Sequence, residues 1–248
     1  MTAMPVQRLA ADPDQPITVQ SVARSHVGMV RAINEDRVFD CPEARVWAVA
    51  DGMGGHAGGD LAAQAVVDRL RTLTSGTRAI GFTDLLVALG QANGDIRQRN
   101  DRLGADAGAT VVAAMIDDAT AHIAWAGDSR AYRLRDGGLE LLTHDHSMVQ
   151  ELVDAGLLTA DRAERHPQSH VVTRALGVDD DPRLQTVSAS LKPGDRLLIC
   201  SDGLSRSLAM GDATGDPIET LAKTMLANAL ARDGSDNVSL ILIELGSC

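Results

Sequence analysis

The sequence predicts an α+β domain, on three observations. Strand-like runs arrive in consecutive groups. Helix-like segments come in pairs instead of one after every strand. No repeat or interdomain linker breaks the 248 residues. A doubly wound parallel sheet would need a helix after nearly every strand, and a chain of this length is ample to bury one core.

Residues 1–16 are polar and Pro-containing, and read as a flexible tail before a single domain at 17–248. Strands are expected at 17–24 and 46–50. In 59–73, Leu61, Ala65, Val66 and Leu70 recur at helical spacing and can share one face. A second helix is expected at 83–99, with Thr83 as N-cap before Leu85, Leu86 and Leu89. Four strands follow, at 109–117, 122–127, 131–135 and 139–143, with Asp136-Gly137-Gly138 as the hairpin turn between the last two. A short helix at 146–155 is closed by Gly156, and another starts near Thr159. Residues 163–176 have no clean period and read as an irregular segment near a cleft. Strands at 184–189 and 195–201, a helix at 217–232 with Pro217 in its first turn, and a strand at 237–245 complete the pattern.

Composition narrows the function. Lys and Arg total 23 against 34 Asp and Glu, a formal charge of −11. That balance argues against nucleic acid and anionic membranes, both of which select basic surfaces. An acidic protein still binds phosphate when metal ions reverse the local sign. Three scattered cysteines, Cys41, Cys200 and Cys248, form neither a disulfide framework nor a zinc site. They suit a reducing cytoplasm. The first sixteen residues lack the apolar core of a signal peptide, and no apolar run reaches the roughly 18–20 residues that span a bilayer.

Five aspartates stand where predicted strands run into loops: Asp36, Asp51, Asp128, Asp202 and Asp236. Any single Asp-Gly pair is an ordinary turn, but five strand-end carboxylates aimed at one cleft would repel one another. Hard divalent cations with oxygen ligands, Mg²⁺ or Mn²⁺, hold such a set together. Asp51 opens a stretch with five glycines before residue 60, where the backbone can approach a ligand closely. The Gly52 carbonyl is a candidate ligand beside the Asp51 carboxylate, and His56 a candidate proton donor. The stretch lacks the Gly-Lys-Ser/Thr ending of a P-loop. Arg31, five residues before Asp36, carries the planar fork that matches phosphate oxygens. One rival pattern exists: Cys200 and Arg206 are spaced as in cysteine-based phosphatases. Asp202 lies inside that loop and would repel a phosphate dianion, so Cys200 reads as a small apolar residue ending a buried strand.

Taken together, the segments resemble the metal-dependent Ser/Thr protein phosphatases, the PPM or type 2C family, in compact bacterial form. The matching pieces are 27–36, 49–59, 108–114, 126–130, 142–147, 173–177, 200–204 and Asp236-Asn237-Val238, in family order across about 17–245. The resemblance implies a four-layer α-β-β-α sandwich of two antiparallel sheets, with the metal cleft at one end. It implies that Asp51 bridges two Mn²⁺ or Mg²⁺ ions, that Asp202 and Asp236 hold the first, and that the Gly52 carbonyl holds the second. Asp36, helped by Glu35, would order metal-bound waters, with Asn237 behind the ligands, and Asp128 would contribute to a third, weaker ion. Arg31 would grip the phosphate of a phosphoserine or phosphothreonine protein, opposing a Ser/Thr kinase, in an enzyme expected to be monomeric. The chain departs from the family pattern at Met53, where eukaryotic members carry His, at His26, and at Ala109-Thr110. The rival within the family, an inactive binding module, would have lost ligand carboxylates, and all five are present.

Overall fold

A computed structural model describes residues 17–54, 58–163, 166–215 and 217–247. The tail expected at 1–16 and the candidate proton donor His56 both lie outside the described residues.

Among the described residues, ten strands form two five-stranded sheets. They are β1 (Ile17–His26), β2 (Arg37–Cys41), β3 (Val46–Met53), β4 (Gly108–Asp117), β5 (Thr120–Ala126), β6 (Arg130–Arg135), β7 (Gly138–Leu141), β8 (Gln185–Ser190), β9 (Arg196–Cys200) and β10 (Val238–Ser247). One sheet runs β1-β10-β9-β6-β7 and the other β2-β3-β4-β5-β8. All their pairings are antiparallel. The long helices are α1 (Gly59–Thr74), α2 (Phe82–Leu103) and, after the short α3 (Met148–Asp154), α4 (Ala160–Ala163) and α5 (Asp202–Ser205), α6 (Ile218–Arg232).

The two-residue period of strands builds the layers. In β3, Val46, Ala48 and Ala50 face α1 and α2, packing with Ala63, Val66, Leu70 and Leu89. The alternate residues Trp47 and Val49 face the other sheet, meeting Leu197, Ile199, Ile241 and Ile243. On β9 and β10 the next set over, Leu198, Cys200, Leu240 and Leu242, packs outward on Leu221, Ala222 and Met225 of α6. Three cores between four layers result, which is the α-β-β-α sandwich. With few aromatics, the thickness of the central core rests heavily on Trp47, which is fully buried and donates its indole N–H to Asp40 at 3.0 Å. Trp47→Ala is expected to cost about 3–5 kcal/mol, read as a lower midpoint in denaturant at unchanged slope.

Most elements fall where the sequence places them, with local corrections. The helix expected from an N-cap at Thr83 starts at Phe82, with Gly81 as N-cap. The Asp84 carboxylate accepts the Gly81 N–H at 2.9 Å, so the acid three residues in, not Thr83, fixes the start. Ser147, whose hydroxyl accepts from the Gln150 N–H, likewise caps α3, and Pro217 is the N-cap of α6 rather than part of its first turn. Strand β2 and helix α5 were not anticipated, being only five and four residues long. The Asp136-Gly137 hairpin is as expected, with both residues at positive φ, 51° and 77°.

Antiparallel pairing gathers one set of strand ends. The exits of β3, β5 and β9 and the entries of β2, β4 and β10 lie at the same edge of the sandwich. Asp51, Asp128, Asp202, Asp36 and Asp236 stand there.

Candidate active site

At that edge a cavity of about 440 Å³ is lined by Arg31, Glu35, Asp51, Gly52, Asp128, Asp202, Asp236 and Asn237. Asp36, 2% exposed, lies buried beside this set. The five aspartates picked from the sequence thus converge. His170 and Val172 also line the cavity, so the irregular segment does reach the cleft.

Close backbone approaches hold the edge together. A Cβ on Gly52 would sit 2.1 Å from the Gly59 carbonyl oxygen, so the end of β3 meets the start of α1 backbone to backbone. A Cβ on Gly203 would sit 2.0 Å from the Asn237 carbonyl oxygen, which draws α5 against the entry to β10. Asn237 then clamps the loop carrying Arg31. Its Oδ1 accepts the Glu35 N–H at 2.7 Å, and its Nδ2 donates to the carbonyls of Val27 at 2.9 Å and Ile33 at 3.0 Å. Arg31 is thereby held at the mouth, where it donates to Asp236 Oδ2 at 2.8 Å. The spacing to Asp36 alone did not show that partner.

The electrostatics are those of crowded, dehydrated carboxyls. Burial, and then the charges of Asp36, Asp202, Asp128 and Asp236, push the Asp51 carboxyl well above the usual carboxylate range. Burial, partly offset by hydrogen bonding to serine hydroxyls, raises Asp36 to about 7. Ser201 donates to Asp36 Oδ2 at 2.8 Å. Burial and the Asp202 and Asp145 charges raise Asp128 to about 7, and burial raises Asp202. Two buried carboxylate oxygens, Asp36 Oδ1 and Asp202 Oδ1, have no hydrogen-bond partner among the described residues. An all-oxygen set, mutually repelling and partly unsatisfied, fits hard divalent cations. No three such side chains already converge on one point among the described residues. Asp236 pairs with Arg31 and Asp202 with Arg206. Both carboxylates have chosen cations.

This predicts an unusual pH response. Carboxyls raised in the folded state favour the protonated form, so their stabilisation is present near pH 4 and is lost as pH rises through about 7. In chelator the melting temperature should fall between pH 6 and pH 8, and Mn²⁺ should close most of that gap. A gap indifferent to Mn²⁺ would contradict the assignment.

A family model described as protein phosphatase 2C matches residues 26–238. The chain belongs to the protein phosphatase 2C family. It is 36% identical over 243 residues to the serine/threonine protein phosphatase PstP of Mycobacterium tuberculosis, covering 92% of this chain but 45% of PstP, so it spans less than half of that relative's length. PppA, described as a key regulatory component of T6SS in Pseudomonas aeruginosa, superposes with a TM-score of 0.84 at 36% identity, over 94% of this chain and 100% of that one. The catalytic domain of PstP in complex with two manganese ions superposes at 0.82 with 31% identity, over 93% and 100%.

Within this family fold, the cysteine-phosphatase alternative fails on position. Cys200 is fully buried in β9, and burial pushes its thiol up to about 12, so no thiolate exists near neutral pH. Cys200→Ser should retain activity while losing some stability by burying a hydroxyl. Loss of turnover in a folded variant would contradict this.

Sequence reasoning missed Arg206 and His170 as site residues. The signal for Arg206 was its place four residues after Asp202, one helical turn away, but α5 was too short to foresee. His170 carried no signal, since its segment has no period.

Proposed function

We propose that this chain is a metal-dependent protein serine/threonine phosphatase. The observation that carries the reading is the convergence of four strand-end aspartates with Arg31 on one cavity, with the fifth, Asp36, buried beside them. Asp51, Asp202 and Asp236, with the Gly52 carbonyl, would hold two divalent ions, Mn²⁺ or Mg²⁺, the number of manganese ions in the PstP catalytic domain. When bound, the ions supply an activated water and neutralise phosphate charge.

The remaining work falls to the protein. Glu35, on the cavity wall, and Asp36, buried beside it, would orient water. Arg31 is preorganised by the Asn237 clamp and exchanges its Asp236 partner for two oxygens of the substrate phosphate. Its fixed charge then stabilises the equatorial oxygens during in-line displacement. His56 is assigned the proton that the departing serine or threonine oxygen requires. Substrates are phosphoserine and phosphothreonine proteins, and the reaction opposes a Ser/Thr kinase. The acidic composition and the free thiols of Cys41 and Cys200 favour a monomer in a reducing cytoplasm.

Hydrolysis of a phosphothreonine peptide, assayed with Mn²⁺ and then with EDTA, tests the reading. Turnover that requires Mn²⁺ is expected, and turnover that persists in EDTA would overturn it.

A further inference from the structure

A second cavity, of about 680 Å³, adjoins the first. Asp128, His170, Asp202, Arg206 and Ser235 line both, and so form the partition between them. Asp128 is 7% exposed. Its neighbour Asp145 is already committed to Arg130 through a bidentate pair at 2.8 and 2.7 Å, so it offers Asp128 only repulsion. Across the partition Arg206 Nη2 lies 2.5 Å from Asp202 Oδ2. The Arg206 charge also acts on Asp128, and His170 lines the same partition.

We propose that Arg206 is a resident cation, occupying the place between Asp128 and Asp202 that a third divalent ion would otherwise take. The inference rests on the phosphatase reading only in treating these carboxylates as facing the metal cleft. Three features support it. The guanidinium is delivered by the same short helix that starts at Asp202, one turn later, so its position is fixed relative to that carboxylate. A guanidinium cannot be deprotonated in proteins, so its compensation is permanent, whereas an ion comes and goes with concentration. A fixed positive charge paired with Asp202, on a wall that Asp128 shares, also lowers the local affinity for any further cation by direct repulsion. The site then takes two ions, and the Arg206 charge offsets the repulsion between Asp128 and Asp202.

The test is a stoichiometry, not a rate. Mn²⁺ is titrated into chelator-treated wild type, Arg206→Ala and Arg206→Gln, and bound ions are counted by native mass spectrometry and by loss of the free Mn²⁺ resonance. Two ions are expected in wild type and three in a folded Arg206 variant, the third about ten-fold or more weaker than the other two. The glutamine variant keeps more of the side chain, without the charge, should the alanine variant fail to fold. Three ions in wild type, or only two in both variants, would overturn the proposal while leaving the phosphatase reading intact. No bound ion in wild type would remove both.

Discussion

Asp51→Asn should abolish turnover while leaving the fold in place. Asp51 sits at the exit of β3, paired in register with Thr110 of β4. It is also the carboxyl on which the four other aspartates press hardest, since the charges of Asp36, Asp202, Asp128 and Asp236 all raise it. An amide keeps the shape and removes both that repulsion and the charge that would hold two cations. We expect turnover with Mn²⁺ to fall by about 10³-fold or more, a loss at least as large as that of a preorganised electrostatic group in other sites. In chelator, the variant should melt at or above wild type at pH 8, because one source of repulsion is gone. A variant that melts lower there and keeps activity would show that Asp51 is structural. Circular dichroism and phosphate release, measured on the same samples, decide between the two.

The second large effect is expected at Arg31. Its guanidinium lies at the cavity mouth with one partner, Asp236, and a half-exposed side chain. Arg31→Ala removes a charge-assisted pair of bonds to a phosphate, worth about 1.5–3 kcal/mol each. Since each 1.36 kcal/mol is ten-fold in rate, kcat/KM should fall by about 10²- to 10⁴-fold. Arg31→Lys should recover only part, because an ammonium cannot make the planar bidentate contact. Mn²⁺ binding should weaken little or even strengthen, since Asp236 loses a competing cation. A parallel loss of metal binding would mean that Arg31 organises the ligands and not the substrate.

How much was legible beforehand depends on which physical signal each part left in the chain. The long strands and helices announced themselves through periodicity, and the alternation in β3 even encodes its place between two cores, Val46, Ala48 and Ala50 to one side and Trp47 and Val49 to the other. The aspartates were visible because a carboxylate directly after an apolar run, beside glycine, is an uncommon juxtaposition repeated several times. What stayed hidden was side-chain pairing across distant segments. Asn237 reaches back some 200 residues to hold Val27, Ile33 and Glu35, and nothing in the local sequence reports such a clamp. Arg206 was seen only as the end of a misleading Cys-x₅-Arg spacing. The structure puts Cys200 inside a core and Arg206 in the cleft, on opposite sides of the turn into α5. Short elements such as β2 and α5 were missed because four or five residues carry too little period to detect.

The most direct test is to soak crystals in Mn²⁺ and record anomalous scattering at the cavity. Two ions are expected beside Asp51, with Asp202, Asp236 and the Gly52 carbonyl as the groups that would hold them, and Arg31 turned away from Asp236. Ions lodged elsewhere, or a cavity with no anomalous density beside Asp51, would contradict this.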